Sequence, residues 1–514
     1  MSRTAGEPGR SPGGSGCRAR IVAQWLEDLG QFSRFLLRRP LRAYQLAPAA
    51  AVAESIREGR GQTFVVMMAR QAGKNEMSAQ LEAYLLNRYQ RRGGQVVKAS
   101  PTFKPQTINS MMRLEEHLGN PLNRGSLRVR HGYQITLGRA RVLFFSAHAQ
   151  ANAVGATADL LLEGDEAQDI APTKWYKDFV PMGASTNATT VLFGTAWLRV
   201  GLLAETKEAL REAERKDGVR RVFRYDAERV GAEVPAYARY VKEQVARLGR
   251  QHPLIKTQYF LEEIDGTGGL FGADRQEKMR GDHRRRRNPE PGKTYALLLD
   301  IGGQDEAPGP AELRLTLSNP KRDATALTVV EVARQGLKLP TYRVVDRRLW
   351  LGEAHSRLYR QILGLAEHWH AARIVVDATG VGAGLYGFLQ DRLQERVMGV
   401  TYSSRVKSEI GWAFVGAIET GRYKEYVPDE KAETRQFWYE VGACGYEVVP
   451  GPGQVLKWSV QESPRYDGLV AAGHDDLLMS ASLCTRLDEV MVGSGSAASV
   501  VRRDVLDEID EGAR

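Results

Sequence analysis

The stretch TFVVMMARQAGKNE, from Thr63 to Glu76, decides how the fold of this sequence is interpreted. Its first part, Thr63–Met68, is an apolar run typical of a short buried strand, and Asn75–Tyr89 has the pattern of a helix. A tight turn joins them. A phosphate group is bound by a loop of backbone N–H groups, a helix N-terminus and a mobile cation. The residues expected to contact a nucleotide are Arg70, Gln71, Gly73, Lys74 and Asn75.

The turn departs in two places from the phosphate-loop pattern GxxxxGK followed by Ser or Thr. Met68 stands where the pattern has glycine, and Asn75 stands where it has the hydroxyl residue. The usual hydroxyl ligand of magnesium is therefore missing, and the carbonyl oxygen of Asn75 or a water would take its place. By itself, a Gly-Lys pair at a strand–helix turn is equally typical of a plain helix start.

A second signal is ADLLLEGDEAQDI, from Ala158 to Ile170, an apolar strand that ends in two carboxylates. Neighbouring carboxylates repel each other unless a cation or a proton-transfer role offsets the repulsion. In a nucleotide hydrolase, Asp165 would hold Mg²⁺ through water and Glu166 would polarise the attacking water. The alternative is an Asp-Glu turn that faces solvent. Further on, TTVLFGTAW places Thr195 at a strand exit, where it would sense the γ-phosphate.

The second half of the chain carries further carboxylates near strand ends and at a helix start. Asp300 follows YALLL, Asp377 follows RIVV, and the pair Asp475-Asp476 opens an apolar helix. Two-metal phosphodiester hydrolysis needs several hard oxygen ligands that converge on ions about 3.5–4 Å apart. We expect these four carboxylates to converge on a metal site. The alternative is that each aspartate separately caps a turn or helix. His474, directly before Asp475, is expected to be either an outer-shell group or a structural histidine. Lys407, in the segment SSRVKSE, is expected either to contact DNA phosphates or to lie in a solvated loop.

The composition indicates which kinds of binding partner to expect. The chain has 514 residues and a net charge of +10, which favours a polyanionic partner such as nucleic acid but also serves solubility. Its three cysteines form no CxxC pair, so zinc and disulfide frameworks are not expected and a reducing cytosol fits. No apolar run approaches the roughly 20 residues that span a membrane, so no membrane partner is expected. Residues 1–16 lack an apolar core and indicate a flexible tail, not a signal peptide.

Alternating strand and helix patterns predict an α/β architecture in both halves. Strands are predicted at Gln95–Ala99, Val142–Ser146, Asp159–Glu163, Thr189–Phe193, Ala324–Ala333 and Thr341–Leu351. Helices are predicted at Ile21–Leu37, Pro105–Leu118, Leu203–Arg215 and Ala354–His370. The predicted divisions are a flexible tail (1–20), a P-loop ATPase domain (21–265), a basic linker (266–293), a nuclease domain (294–490) and a C-terminal tail (491–514). The linker contains the run Arg284–Arg287, which is either a solvated loop or a DNA-backbone contact.

The order of these motifs resembles the large terminase subunit of tailed bacteriophages. That family has a deviant Walker A motif with an internal arginine, like Arg70, and a strand that ends like Asp165-Glu166-Ala167. The stretch Gly155–Asp159, the coupling motif Gly194-Thr195-Ala196 and the segment Val97–Thr107 are also similar to family motifs. The three acidic positions of the second half resemble its ribonuclease H-like nuclease domain. The resemblance extends from about Leu41 to Cys484.

The resemblance implies an ASCE-type P-loop NTPase domain followed by a ribonuclease H-like nuclease domain. It implies ATP-driven translocation of double-stranded DNA into a procapsid, with metal-dependent endonucleolytic cutting of concatemeric DNA. The implied ligands are ATP and Mg²⁺, with Mn²⁺ possible at the nuclease site. The implied partners are a portal protein, a small terminase subunit and further copies in a ring, in the host cytoplasm. Gln45, in LRAYQ, would contact adenine. The arginine-finger candidates are Arg139, Arg141 and Arg199.

Three other functions stay open. A helicase-like or repair ATPase could use the same P-loop core with an accessory nuclease. A nuclease could carry a regulatory domain that binds nucleotide without hydrolysing it, which the substitutions at Met68 and Asn75 would suit. A non-enzymatic, capsid-associated binder is the third alternative.

Overall fold

The computed structural model describes residues 20–151, 153, 155–302, 324–333, 339–449, 454–460 and 474–491. The described residues form two compact units. The first unit comprises the described residues up to Gly266, except Arg247–Gly249, together with residues 449 and 454. The second takes Arg247–Gly249 and the described residues from Thr267 onward, except 449 and 454. The two predicted tails lie outside the described residues, apart from Arg20 and Met491. Within the described part of the chain, no helix is long and apolar enough to cross a membrane.

The first unit contains an eight-stranded sheet. Its strands are β1 (Thr63–Met68), β2 (Gly94–Ser100), β3 (Leu127–Arg130), β4 (Gln134–Leu137), β5 (Ala140–Ser146), β6 (Leu161–Gly164), β7 (Thr189–Gly194) and β8 (Val222–Tyr225). The order is β3-β4-β5-β2-β6-β7-β1-β8. The pairs from β5 to β8 are parallel, and the β3–β4 and β4–β5 pairs are antiparallel.

One detail of this order classifies the unit. β7 lies between β1, which leads into the glycine-lysine turn, and β6, which leads into the two carboxylates. A strand inserted between these two is the arrangement expected of an ASCE-type P-loop domain. Because β1, β6 and β7 are parallel, their carboxyl ends meet at one edge of the sheet, where ligands of open α/β sheets bind.

Helices cover this sheet. They are Leu29–Gln31 with its continuation Phe32–Leu36, Ala43–Arg57, Lys74–Tyr89, Ile108–Leu118, Pro172–Lys174 with its continuation Trp175–Phe179, Val180–Ala184, Leu202–Asp217, Ala227–Glu233, Pro235–Leu248 and Pro253–Gln258.

The predicted limits of two helices and one strand in this unit were wrong, each for a local reason. The helix predicted from Ile21 is interrupted, because Asp28 starts a new turn by accepting a hydrogen bond from the Gln31 amide at 2.7 Å. The helix predicted from Pro105 becomes a regular α-helix only at Ile108, because its first turn belongs to the π-helical segment Phe103–Thr107. β6 begins two residues late, because the amides of Asp159 and Leu160 both donate to Gln95 O, outside the strand ladder.

The second unit contains a six-stranded sheet and a three-stranded sheet. Its strands are β9 (Thr267–Gly269), β10 (Thr294–Asp300), β11 (Ala324–Ala333), β12 (Thr341–Leu351), β13 (Arg373–Asp377), β14 (Val397–Val400), β15 (Tyr423–Lys424), β16 (Cys444–Val448) and β17 (Leu456–Val460). The larger sheet has the order β14-β13-β10-β11-β12-β15. β10, β11 and β12 form the predicted antiparallel meander, and β13 and β14 continue in parallel with β10. If β10 to β14 are numbered 1 to 5 along the chain, their order across the sheet is 3-2-1-4-5 reversed end for end or, read from β14, 5-4-1-2-3, which is the order of a ribonuclease H-like sheet.

The helices of this unit are Ala273–Met279, His355–His368, Gly382–Leu393, Ser404–Glu419, Ala432–Ala443, Asp476–Ser482 and Leu487–Met491. One core lies between the sheet and the helices His355–His368 and Gly382–Leu393. It buries alternate strand residues such as Leu297, Leu299 and Val376.

The structure gives the segment 266–293, predicted to be a linker, a different role. It contains β9 and the helix Ala273–Met279, and β9 pairs with β16 inside the second unit. Two of the four arginines in the run Arg284–Arg287 form ion pairs with carboxylates on β12 and β11: Arg285 with buried Asp346 at 2.7 Å, and Arg286 with Glu331 at 2.6 Å. The segment is therefore an integral part of the second unit, and its arginine run is not simply a solvated loop.

Candidate active sites

The turn after β1 has the backbone of a phosphate-binding loop. Gln71 and Gly73 both have left-handed backbone, with φ of 61° and 88°. A Cβ atom at Gly73 would lie 2.4 Å from Gln45 Nε2, so the position requires glycine. The helix begins at Lys74, and the side chains of Gln71 and Asn75 are exposed. The free amides of this helix N-terminus therefore face the edge of the sheet.

Two side chains from the helix Ala43–Arg57 hold the loop. The Tyr44 hydroxyl donates to Ala72 O at 2.8 Å, and Gln45 Nε2 donates to Gly73 O at 3.0 Å. Gln45 Oε1 accepts from the Arg42 amide at 3.0 Å. The structure thus places Gln45 against the phosphate loop itself. A contact between Gln45 and adenine remains a proposal.

Arg70 is anchored at the rim of the loop. Its guanidinium donates to Gln258 Oε1 at 2.9 Å, and its carbonyl accepts from the Tyr237 hydroxyl at 2.7 Å. The Arg70 side chain is exposed. It therefore presents a positive charge beside the loop, as a polyphosphate would require.

Lys74 brings the loop and the two acids together. Its Nζ lies 2.6 Å from Glu166 Oε1 and 3.3 Å from Asp165 Oδ1. Burial opposes the charged form of Lys74, but Glu166 and Asp165 outweigh this and raise its pKa. Burial likewise opposes the charged form of Asp165, while Lys74 and then Lys98 outweigh it and lower its pKa. The sequence placed these three residues in one site, and the structure brings them into contact.

Gln168 links the acids to β7. Glu166 has left-handed backbone, with φ 50° and ψ 47°, a strained conformation that functional sites often hold. Gln168 Nε2 donates to Glu166 Oε2 at 2.7 Å, and Gln168 Oε1 accepts from the Thr195 amide at 3.2 Å. Sequence reasoning missed Gln168, since only its partners on two different strand ends give it a role.

Replacing Gln168 by alanine is expected to lower the ATP turnover rate. A hydrogen bond to a charged group contributes about 1.5–3 kcal/mol, so kcat should fall roughly 10-fold or more if Gln168 orients Glu166. KM should change little, because Gln168 contacts neither the loop nor Lys74. Steady-state ATPase kinetics check this, with the exposed Gln251→Ala as the control. A rise in KM at constant kcat would contradict the positioning role.

A buried ionic cluster lies behind the phosphate loop. Lys98, on β2, has its Nζ 2.8 Å from Glu163 Oε1, 3.0 Å from Glu82 Oε1 and 2.6 Å from Ser78 Oγ. Glu163 is on β6, two residues before Asp165, and Glu82 and Ser78 are on the helix that begins at Lys74. All four side chains are buried. The cluster therefore ties the phosphate-loop helix to the acid-bearing strand.

Replacing Lys98 by methionine is expected to destabilise the protein by about 3–5 kcal/mol, because two carboxylates would be left buried without their cation. Denaturant unfolding followed by circular dichroism measures the change. Lys216→Met is the control, since that side chain is 73% exposed, and its effect should stay within about 0.5 kcal/mol. Equal stability of the two variants would show that Lys98 does not hold the cluster.

The three arginine-finger candidates lie at different edges of the sheet. Arg139 and Arg141 are at the start of β5, and Arg141 Nε donates to Gln95 near the start of β2. Because these strands are parallel to β1, both arginines lie at the edge opposite the phosphate loop and cannot complete the site of their own chain. Arg199 follows β7 at the loop's own edge, exposed, with its Nε 3.3 Å from Asp265 Oδ1.

In the second unit, the predicted acids meet at one edge of the larger sheet. Asp300 and Asp377 are the last residues of β10 and β13, which are adjacent and parallel. Asp475 and Asp476 stand at the start of the helix Asp476–Ser482. Ser480 Oγ of that helix donates to Leu298 O or Thr328 Oγ1, each at 2.9 Å, and so fixes the helix on the sheet.

The charges of this acid cluster would suit a cation. Burial, then Asp476, Asp377 and Asp475, raise the pKa of Asp300 well above its ordinary value. Lys407 Nζ lies 3.2 Å from Asp475 Oδ2 and partly offsets the repulsion. One ammonium faces four carboxylates, so a divalent cation would relieve the remaining repulsion. Among the described residues, however, no three metal-binding side chains are already spaced as a closed ligand set, so the carboxylates would move together to bind one.

Two further groups border the cluster. His474 Nδ1 lies 3.7 Å from Asp476 Oδ2. Glu440, on the helix Ala432–Ala443, is buried and accepts from the Leu478 amide at 2.8 Å, which caps the helix that carries the acids. Burial raises the pKa of Glu440 well above its ordinary value. Its position was not predictable, because a glutamate in an amphipathic helix is usually solvated.

The fold and these sites together define an α/β chain with an ASCE-type P-loop unit and a ribonuclease H-like unit. Solved structures of bacteriophage large terminases resemble it. One, from a thermophilic bacteriophage in complex with ADP, is 12% identical, with 87% of this chain and 99% of that chain covered and a TM-score of 0.47. The large terminase of bacteriophage HK97 is 11% identical, with 90% and 99% covered and a TM-score of 0.37.

A third structure, the large terminase nuclease of a thermophilic phage with bound magnesium, is 17% identical. It covers 42% of this chain and 96% of its own length, with a TM-score of 0.30. No protein-family model and no curated protein sequence matches this chain.

Proposed function

We propose that this protein is an ATP-driven DNA-packaging motor that also cuts DNA with divalent metal. The observation that supports the proposal most is the presence of two different phosphate-chemistry sites in one chain. One is the phosphate loop with Lys74, Asp165 and Glu166, and the other is the four-carboxylate cluster around Asp300. The packaging role is supported by the order of motifs along the chain, because that order resembles the order in the terminase family.

In the proposed ATPase cycle, the triphosphate occupies the amides of residues 71–75 and takes Lys74 away from the two carboxylates. Asp165, through water, and Asn75 would hold Mg²⁺, which neutralises phosphate charge in such sites. Glu166 accepts a hydrogen bond from the attacking water, and Gln168 holds the Glu166 carboxylate in place. Thr195, directly after β7, would sense the state of the γ-phosphate, and the same glutamine connects it to Glu166.

The proposed nuclease centre consists of Asp300, Asp377, Asp475 and Asp476. These carboxylates would hold Mg²⁺ or Mn²⁺, which lowers the pKa of bound water and stabilises the charge of the transition state. Lys407 faces the same cluster and would contact a DNA phosphate once the metal relieves its ion pair with Asp475. Chelation with EDTA should therefore abolish cutting, and cutting that persists without metal would contradict this assignment.

DNA binding is expected to depend steeply on salt. A motor that moves along any sequence grips phosphates, and each neutralised phosphate contributes about −0.9 to the slope of log K against log salt. The net charge of +10 and the exposed Arg284 and Arg287 support such contacts. Fluorescence anisotropy of a labelled duplex across a salt series measures the slope. Affinity that stays flat across the series would contradict a phosphate grip.

The assembly is part of the proposal. Working copies would form a ring on a portal protein in the host cytoplasm, with a small terminase subunit to select DNA. In such a ring Arg199, at the edge of the phosphate loop, would complete the site of its own chain. Arg139 and Arg141 could serve as arginine fingers only for a neighbouring copy.

Three rival functions differ from a packaging motor in what they require. A helicase-like enzyme would separate strands of a forked duplex in the presence of ATP, whereas a packaging motor translocates along intact duplex. A nuclease with a regulatory domain would bind ATP without turnover. The contacts of Glu166 with Lys74 and Gln168 favour hydrolysis over mere binding. A non-enzymatic binder would need neither acid cluster.

A further inference from the structure

Tyr402 lies at the edge of the sheet that carries the acid cluster. It follows β14, which is parallel to β13 and pairs Val400 with Asp377. Ser403, the next residue, caps the helix Ser404–Glu419 by accepting from the Val406 amide at 3.2 Å. A strand end and a helix start thus fix the backbone of Tyr402 on both sides.

A hydrogen-bonded chain connects Tyr402 to the acids. The Tyr402 amide donates to Thr379 Oγ1 at 2.8 Å, and the Thr379 amide donates to Asp377 Oδ1 at 2.8 Å. Tyr402 is therefore held at a defined place relative to a carboxylate of the cluster. Such support is what a site on rigid elements needs.

The Tyr402 hydroxyl is buried and has no hydrogen-bond partner among the described residues. Leaving a buried donor unsatisfied costs about 1–3 kcal/mol, so a group of this kind needs an explanation. Burial, followed by Asp300, Asp377 and Asp475, raises the pKa of Tyr402 well above its ordinary value. The phenol is thus neutral and can donate its proton in a hydrogen bond, and among the described residues no carboxylate accepts it.

We propose that the Tyr402 hydroxyl donates a hydrogen bond to a non-bridging oxygen of the DNA phosphate that enters the acid cluster. The inference rests on the proposed nuclease function. A phenol oxygen can also accept, but the unused O–H donor is satisfied only by an acceptor. Carboxylates that bind a cation have their lone pairs engaged, and water on a cation acts chiefly as a donor. A phosphate oxygen is the negatively charged acceptor that the cluster itself does not supply.

The test is Tyr402→Phe, which removes the hydroxyl and keeps the ring. Tyr439→Phe is the matched control, because Tyr439 also has a buried hydroxyl without a partner and lies in the same unit, on the helix Ala432–Ala443. Plasmid cleavage in Mn²⁺ should slow roughly 10- to 100-fold in Tyr402→Phe, the loss expected for a hydrogen bond to a charged group. ATP turnover and the melting temperature should not fall. The control should cleave like the wild type.

Calorimetric titration with Mn²⁺ supplies the second readout, and equal affinity in wild type and Tyr402→Phe is expected. Wild-type cleavage by Tyr402→Phe would overturn the inference and leave the nuclease standing. A 10-fold loss of Mn²⁺ affinity, with cleavage restored at saturating metal, would assign the hydroxyl to metal-bound water and overturn the phosphate contact. If the wild type cuts with no divalent metal at all, the proposed nuclease fails, and this inference fails with it.

Discussion

Replacing Asp300 by asparagine is expected to abolish metal-dependent DNA cleavage and leave ATP turnover unchanged. Asp300 ends β10 and faces Asp377, Asp475 and Asp476, so its loss removes a ligand from the centre of the cluster. Loss of an outer-shell partner alone costs about 10- to 100-fold, so the loss of a direct ligand should exceed that. Plasmid cleavage in Mg²⁺ or Mn²⁺ and steady-state ATPase assays measure the two activities.

The stability of Asp300→Asn separates lost chemistry from lost folding. Without metal, the variant should melt no lower than the wild type, since neutralising one of four crowded carboxylates relieves repulsion. Added Mg²⁺ should raise the melting temperature of the wild type more than that of the variant, because ligand binding to the folded state stabilises it. Asp391→Asn, an exposed aspartate on the helix Gly382–Leu393, is the matched control and should behave as wild type. Loss of both activities in Asp300→Asn would indicate misfolding or a wrong assignment.

Replacing Glu166 by glutamine is expected to lower ATP turnover by about 10²- to 10⁴-fold, the contribution typical of a positioned proton acceptor. Nucleotide affinity should persist, because Gly73, Lys74 and the loop amides remain. The exchange also frees Lys74 from a contact of 2.6 Å, which favours the phosphate over the carboxylate as its partner. Turnover assays and equilibrium binding of a fluorescent nucleotide check the two halves of this expectation.

The matched control is Glu228→Gln, which neutralises an exposed glutamate of the same unit on the helix Ala227–Glu233. It should leave both turnover and binding unchanged. ATP turnover near the wild-type rate in Glu166→Gln would remove Glu166 from the water-activating role. Loss of binding as well as turnover would show that the substitution disturbed the loop.

The strand-end acids were predictable because their signal is local. An apolar run followed by a carboxylate identifies Asp165, Asp300 and Asp377, and parallel strands bring their carboxyl ends to one edge. Lys74 was found for the same reason, since a strand, a glycine and a helix start adjoin it. In the structure Asp300 and Asp377 end their strands, Asp165 directly follows β6, and Lys74 begins its helix.

The residues that sequence reasoning missed depend on distant partners. Lys98 lies within an apolar strand, and nothing nearby in the chain shows that Glu82 and Glu163 close around it. Gln168 joins Glu166 to Thr195, which lies 27 residues after Gln168 in the chain, and no residue near Tyr402 in sequence reveals that it lies at the same sheet edge as Asp377. Such contacts follow from the sheet order, which local patterns do not fix.

The segment 266–293 shows that amino-acid composition alone does not identify a linker. Glycine, proline and arginine are typical of linkers, and the expectation of a linker was reasonable on that ground. The partners of Arg285 and Arg286 are Asp346 and Glu331, on β12 and β11. Because ion pairs to distant strands hold the segment, no local pattern could have revealed that it belongs to the second unit.

The most direct test of two separable sites in one chain is a paired assay on the full-length protein. ATP turnover and plasmid cleavage in Mn²⁺ would be measured side by side for wild type, Glu166→Gln and Asp300→Asn. We expect a crossed result, in which Glu166→Gln loses ATP turnover and keeps cleavage while Asp300→Asn loses cleavage and keeps ATP turnover. Loss of both activities in both variants, or a wild type that has neither, would contradict it.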